Sequence, residues 1–571
     1  MSAYALGLLL SIIVYLVVGS YAGRKVKHLE DYFVAGRNAP TLLIVGTLVA
    51  SLMSTNAFMG ETGVGYSGFP SILIILTAIN CIGYVLGGLY FGRFLRRSRA
   101  LTVAEFFGQR FSSRRVQAVA GITVVLGCTG YLVVVTQGVA TIIHEVTGLS
   151  FHLTLLVAWV GYTLFTLYSG SRGVVLTDTM MFLLFSAVAL LGLAFIVDDA
   201  GGWFTAVRNL AGFEAKPGII SWHGMTGPDA TWKTPAESLI YGIILGIGWG
   251  IVVAVSPWQA SRFLMARNEH TVIRSAVITA GVVMALYLVL MFSGAAINLV
   301  NPQIDPAQEN MIWAALNIMP LLIGVLLMSG IMAAGLSSAS TFLSLVAFSA
   351  SNDIMPPRDL DDGARLKMSR QAMFVLSLVA LAIAFLLPEG QLFWITYFAG
   401  TLFASSWGPV AFMSVWSSRI TEAGAFWGII AGLLGNLVTN VIALLRIVDL
   451  PVILDPILVG VVLSYLTIEI VSFRGKVSGQ EHAWRKRLHE TPPEEIDFAR
   501  TRRTLVWSGA VVTFGIALSI LMILFYWIPY RQVAADSATG ELVLSLGVGF
   551  AVVACGVLAW WGTMRSYAVN K

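Results

Sequence analysis

Val49-Ala50-Ser51-Leu52-Met53-Ser54-Thr55-Asn56-Ala57-Phe58-Met59-Gly60-Glu61-Thr62-Gly63 sits inside a run, 41–66, long enough to cross a bilayer as a helix. Small polar residues and glycines in the middle of a span are how a discontinuous membrane helix is built. Freed carbonyls there bind a cation, and half-helix N-termini face an anion. A counterpart follows at Gly246-Ile247-Gly248-Trp249-Gly250, ending at Ser256-Pro257-Trp258-Gln259. The two interruptions lie five helices apart, each in the first helix of a five-helix block. That pattern predicts an inverted repeat with a binding site near the bilayer midplane.

The composition agrees with a membrane setting. Of the 571 residues 57% are apolar and 11% charged, against about 45–50% and about 25% in soluble domains. This excludes a soluble enzyme, a disordered chain and a nucleic-acid binder. The net charge of +5 names no acidic partner. Cys81, Cys128 and Cys555 all lie in apolar runs and read as small buried hydrophobes. A ruler of about 20 apolar residues predicts an all-α polytopic protein of about fifteen transmembrane helices. Spans one to fifteen fall at 3–21, 41–66, 70–92, 116–143, 151–168, 174–197, 236–260, 272–298, 311–349, 368–387, 391–417, 423–445, 451–472, 505–528 and 541–564. Arg24, Lys25 and Lys27 directly follow span one, which therefore reads as an anchor with its N-terminus outside and not as a cleaved signal. On that topology 30 of the 35 Lys and Arg face the cytoplasm. Arg208, Lys216, Lys233, Arg446 and Arg531 face out, which obeys the positive-inside rule and puts the C-terminus inside. The expected organisation is a peripheral first helix and inner loop (1–40), a five-helix repeat (41–198), an outer loop (199–235), a second repeat (236–417) and peripheral C-terminal helices (418–571). Loop 474–504, polar and basic, reads as a solvated inner-face linker. Trp203, Trp222 and Trp232 make the outer loop an interfacial flap.

Polar side chains inside hydrocarbon must find partners, so they carry the functional signal. In span nine Ser337, Ser340, Thr341 and Ser344 recur at helical spacing on one face, with Ser338 beside them and Ala334 a turn earlier. A stripe of hydroxyl oxygens suits a hard monovalent cation. It also suits back-bonding to the helix or packing between helices. Two carboxylates stand out. Asp178 opens span six, either as a buried ligand or as a solvated helix-start residue. Glu61 lies in the interrupted part of span two or at its outer mouth. Thr55, Asn56, Gly60, Glu61, Gln137 and Trp249, at broken-helix or adjacent mid-span positions, are the candidate solute contacts. Gly63-Val64-Gly65-Tyr66-Ser67-Gly68 follows a membrane helix and no strand, so it is not a dinucleotide loop. No phosphate-binding loop supports ATP-driven pumping, and no nucleophile–base or metal-ligand spacing supports an enzyme.

These segments resemble the solute:sodium symporter family over about residues 1–472. Ile331-Met332-Ala333-Ala334-Gly335-Leu336-Ser337-Ser338-Ala339-Ser340 resembles its ninth-helix pattern. Gly173-Val174-Val175-Leu176-Thr177-Asp178 resembles its sixth-helix segment. Trp249-Gly250 with Pro257 and Arg262-Phe263, and Asp353 after span nine, fit as well. The resemblance implies a leucine-transporter-type fold with spans two to six and seven to eleven as the repeats. It implies a sodium site made by the carbonyls of Ala50, Met53 and Ala334 and the hydroxyls of Ser337 and Ser338. It further implies a second sodium held by Asp178, Ser337, Ser340 and Thr341, or a role for Asp178 in sodium exit alone. Leu52, Asn56 and Val253 depart from the proline branch, and Gly170-Ser171-Arg172 departs from the pattern after span five.

The function this implies is sodium-coupled symport, with one or two sodium ions, of a small polar organic solute: a carboxylate, an amino acid or a quaternary amine. The chain is expected to be a multi-pass protein of the plasma (inner) membrane, to have no nucleic-acid partner and to work as a monomer. A proton-coupled carrier using Asp178 or Glu61, and a solute sensor without turnover, are the alternatives.

Overall fold

A computed structural model describes residues 3–23, 28–355, 361–388, 390–445, 447–448, 450–534 and 538–567. Arg24, Lys25, Lys27, Arg358, Arg446 and Lys571, which enter the charge count above, lie outside the described residues. Among those described the chain is helical, and the β-type pairing present is an isolated bridge between Ala39 and Ala266. Eleven described helices are long and apolar enough to cross a membrane, or twelve if one bent pair counts as a span. That pair is span two. Thr41–Leu52 and Asn56–Tyr66 meet at 56°.

The count of fifteen is thus coarser in the structure than in the sequence reading. Span one is an apolar helix of 21 residues, Ala3–Gly23, and span five is the first part of a longer helical run. Leu392–Trp416, span eleven, is a helix of 25 residues with Pro409 inside it. Spans five and six are one helical run, Phe151–Asp199, interrupted at Gly170 (φ 52°, ψ −168°). An L side chain is strained at that φ, and a Cβ there would come within 2.4 Å of the Tyr32 ring.

The expected break at Gly246–Gly250 is not where the helix breaks. Pro235–Val255 runs through those glycines, and the interruption falls at Ser256 (φ −59°, ψ 148°), before Pro257–Met265 begins. Proline at the start of the second segment lacks the N–H that would continue the first. The glycines are notches instead. A Cβ on Gly83 would sit 2.2 Å from the Gly250 carbonyl oxygen, and one on Gly87 would sit 2.6 Å from Ala254 Cα. Spans three and seven therefore touch backbone to backbone, as small residues allow where no hydrophobic effect drives helices together.

At the inner face, loop 474–504 is more ordered than a linker. Ser478 caps the helix Gly479–His489 with a reciprocal box to Glu481. Arg485 Nε and the His489 ring meet the Val415 carbonyl at 3.1 and 2.9 Å. Burial among these groups holds the His489 imidazole below its ordinary pKa.

Gly83→Leu is expected to cost roughly 3 kcal/mol or more through overpacking, and to abolish a monodisperse peak in fluorescence-detected size-exclusion chromatography. Gly161→Leu, where an added Cβ meets nothing within 4 Å, is expected to keep that peak.

Candidate functional site

The bend in span two is a rearrangement of backbone hydrogen bonds. In a continuous helix the amides of Ser54 and Ala57 would serve the carbonyls of Ala50 and Met53. Here Ser54 N–H goes to Leu52 and Ala57 N–H to Ser54, at 3.0 and 3.1 Å. The carbonyls of Ala50 and Met53 are released from those two amides inside the protein. Ser338 Oγ of span nine donates to the Ala50 carbonyl at 3.3 Å, so the two helices face each other across these oxygens. Ala50, Met53, Ala334, Ser337 and Ser338 are all fully buried. Neutral carbonyl and hydroxyl oxygens are ligands for a hard monovalent ion. Groups of three or more His, Cys, Asp or Glu that could hold a transition metal are absent among the described residues.

Next to this lies Asp178, fully buried and not at a solvated helix start. Ser337 Oγ donates to its Oδ1 at 2.6 Å and Thr47 Oγ1 to its Oδ2 at 2.5 Å. The counter-charge is the guanidinium of Arg262, on Pro257–Met265, 3.6 Å from Asp178 Oδ2 with both side chains almost wholly buried. The same Arg262 nitrogen donates to Thr341 Oγ1 at 2.5 Å. Ser340 Oγ turns back to the Ser337 carbonyl at 2.8 Å. Asp178, Ser337 and Thr341 are thus brought together, Ser340 is spent on its own helix, and the cation among them is Arg262. In the sequence reading Arg262 is an inner-face charge and half of the Arg262-Phe263 pair in the resemblance, not a partner of Asp178. Its place five residues after Pro257, in the helix that restarts there, was the available signal.

The candidate solute contacts gather on the outer side of the bend. Asn56 Nδ2 donates to Glu61 Oε1 at 3.0 Å. Gln137 Nε2 donates to the carbonyls of Ala384 and Leu387 at 3.3 and 3.1 Å. Thr55 Oγ1 faces Gly138, where a Cβ would come within 2.6 Å, and a Cβ on Gly60 would lie 2.2 Å from Asn56 Oδ1. Trp249 and the Tyr131 hydroxyl converge on Gly400, each 3.0 Å from where its Cβ would be. Tyr131 stacks on Phe342 and tilts against Trp258. Tyr287, from span eight, has its hydroxyl beside the Glu61 carboxylate. Tyr131 and Tyr287 were missed because a tyrosine in a long apolar span reads as an ordinary aromatic until the facing helix is known.

Beyond Gly60 a cavity of about 250 Å³ opens, walled by Gly63, Phe69, Gln308, Phe393, Trp394 and Trp232 of the outer loop. Trp232 packs edge-on against Phe69 at 4.7 Å. Lys216 pins the same loop, donating to the Tyr66 carbonyl at 2.8 Å and to Asn298 Oδ1 at 2.6 Å. Its burial pushes the ammonium down to about 8.

Comparison with known proteins places this arrangement. A model of the sodium:solute symporter family matches residues 32–432. The sodium/pantothenate symporter of Escherichia coli (strain K12) is 25% identical over 445 residues, 75% of this chain and 89% of that protein. The sodium/proline symporter of the same organism is 24% identical over 511 residues, 84% and 96% of the two chains. Among solved structures, a substrate-bound, outward-open, Na+-coupled sialic acid symporter superposes with a TM-score of 0.70 at 18% identity. It covers 84% of this chain and 99% of that one.

Asp178→Asn is expected to destabilise the protein by about 3–5 kcal/mol, because it strands a buried guanidinium. The double variant Asp178→Asn with Arg262→Gln recovers much of that loss in a thermal-melting cycle. Additive losses would mean that the two groups do not compensate each other.

Proposed function

The chain belongs to the sodium:solute symporter family, and from that premise we propose that it carries one sodium ion together with one small polar organic solute into the cell across the plasma (inner) membrane. It is a transporter and not an enzyme, a multi-pass membrane protein that uses sodium. The proposed architecture has fifteen spans, N-terminus out and C-terminus in. Spans two to six (41–198) and seven to eleven (236–417) are the inverted repeats, and a single chain is the working unit.

The observation that carries this reading is the convergence of the released carbonyls of Ala50 and Met53 with the span-nine hydroxyls. Sodium arriving from outside would be held by those carbonyls, by the Ala334 carbonyl and by Ser337 and Ser338. Ser337 can do this while donating its proton to Asp178, since its lone pairs stay free. The ion then ties span nine to the inner half of span two and sets the angle at which Asn56–Tyr66 leaves the bend. That angle places Asn56, Gly60 and Glu61 against the solute. Sodium and solute must raise each other's affinity by the same factor.

Arg262 supports the stoichiometry of one. A guanidinium already neutralises Asp178 and already engages Thr341, so a second sodium there would meet a fixed positive charge. One ion moving inward supplies roughly 2.3 kcal/mol per 100 mV, enough to concentrate a solute. Rocking of one repeat bundle against the rest then exchanges the outer cavity for an inner one.

In proteoliposomes, Ser337→Ala with Ser338→Ala is expected to abolish sodium-stimulated uptake while the purified protein stays folded. Unchanged sodium dependence removes the site. The initial rate in the unaltered protein is expected to rise with sodium with a Hill coefficient near one. A value near two would require a second ion beside Arg262. Glu61, buried without a cationic partner, favours one other reading. Uptake that ignores replacement of sodium by choline and follows a pH gradient would make Glu61 a proton carrier.

A further inference from the structure

We infer that the buried wall behind Gly60, next to the outer cavity, is built to receive a protonated primary or secondary amino group, held between Glu61 Oε2 and Asn56 Oδ1. The inference rests on the transport reading above and names the solute chemistry that reading leaves open.

The argument starts from which polar atoms are spoken for. Around the pocket both amide nitrogens already have acceptors. Asn56 Nδ2 serves Glu61 Oε1, and Gln137 Nε2 serves two backbone carbonyls. A carboxylate and a carbonyl only accept, so these amides cannot be turned round. Among the buried atoms left without partners there, Glu61 Oε2, Asn56 Oδ1 and Gln137 Oε1 are acceptors, while the Thr55 and Tyr131 hydroxyls can also donate. One of the acceptors belongs to a carboxylate. A buried acceptor with no donor is costly, and a buried carboxylate with no cation more so.

Asp178 has its cation in Arg262. For Glu61 no Lys, Arg or His among the described residues plays that part, and its neighbours are Asn56 and Tyr287. A cationic solute would supply that charge. Gly60 lines the outer cavity and, lacking a Cβ, lets Asn56 Oδ1 pack directly against its backbone, so that acceptor is buried just behind the cavity wall. The flanking walls suit a cation too. Tyr131 and Tyr287 lie beside the Glu61 carboxylate, and aromatic faces attract positive charge.

The same inventory discriminates among the solute classes. A simple carboxylate would bring a second negative charge to a site whose amide donors are used. A quaternary ammonium has the charge but no N–H to satisfy Glu61 Oε2 and Asn56 Oδ1. An ammonium bearing hydrogens meets both needs, and it is common to alkylamines and amino acids.

The test is thermal shift on the detergent-purified full chain, in sodium and with sodium replaced by N-methylglucamine, using four probe sets. These are n-butylamine with pyrrolidine, L-alanine with L-proline, butyrate with pyruvate, and tetramethylammonium with choline. The first set, the second or both are expected to raise the melting temperature, more so in sodium, and which of them does so separates amines from amino acids. The other two sets are expected to bind at least about tenfold more weakly. Glu61→Gln is expected to weaken the ammonium probes at least about tenfold. It should leave the melting shift caused by sodium alone, which reports that the variant is folded, and Glu61→Asp should retain part of the affinity. Equal or stronger stabilisation by carboxylates or quaternary amines, or no response to any ammonium probe while sodium alone still stabilises, overturns the inference and leaves the transport reading standing. Loss of the sodium response in the unaltered protein instead strikes at the transport reading.

Discussion

A carbonyl oxygen deprived of its amide partner cannot be left alone in a lipid slab, where water is absent and an unmet polar group costs several kcal/mol. Span two creates two such oxygens at its bend, and much of the site can be read as the answer to them. Ser338 reaches one of them from span nine. With the buried hydroxyls of Ser337 and Ser338 close by, the two carbonyls form the neutral oxygen set proposed above to hold sodium. The bend also swings Asn56–Tyr66 out of line with Thr41–Leu52, which brings Gly60 and Gly63 to the wall of the outer cavity. The proposed ion site and solute pocket would then be the two sides of one broken helix, and coupling between them would need no long relay.

Charge is handled in two opposite ways a short distance apart. Asp178 is compensated from within, by a guanidinium on the helix that restarts at Pro257, with Thr47 and Ser337 completing its hydrogen bonds. Glu61 is left with a buried acceptor that has no hydrogen-bond partner. An internally paired carboxylate gains little from another cation, whereas an unpaired one draws a cation in. On the proposal above, that contrast separates a group that ties helices together from one that would meet the solute.

The chain continues well past residue 432, where the family match ends, and the extension is tied to the transporter body. Glu269, at the start of the helix Glu269–Ile297, takes both Arg97 Nε and Arg97 NH2 at 2.7 Å and also the Tyr567 hydroxyl of the last helix. Arg97 NH1 reaches the Leu488 carbonyl at 2.6 Å, and the Glu269 amide donates to Glu495 Oε1 at 3.1 Å. The inner ends of spans three and eight, the 474–504 segment and the C-terminal helix thus share one polar knot. Burial beside Glu269 raises the Glu495 carboxyl above its ordinary pKa.

The one-dimensional pattern was enough for what depends on composition and period. Apolar runs of bilayer length announced a helical membrane protein, and the serine stripe of span nine together with the polar run at 49–63 marked the two helices that meet at the ion site. Those signals are local, because a helix presents residues three and four apart on one face whatever surrounds it. Local pattern could not say what the glycines of span seven were for, since a notch against Gly83 and a helix break look alike until the neighbour is placed. Nor could it decide whether Asp178 faced water or a guanidinium. Tertiary structure decided those points: it brought Arg262 to Asp178, set Tyr131 and Tyr287 around Glu61, and closed loop 474–504 onto the bundle. Pairing of charges and filling of space are properties of two surfaces at once, and a sequence lists each surface without its partner.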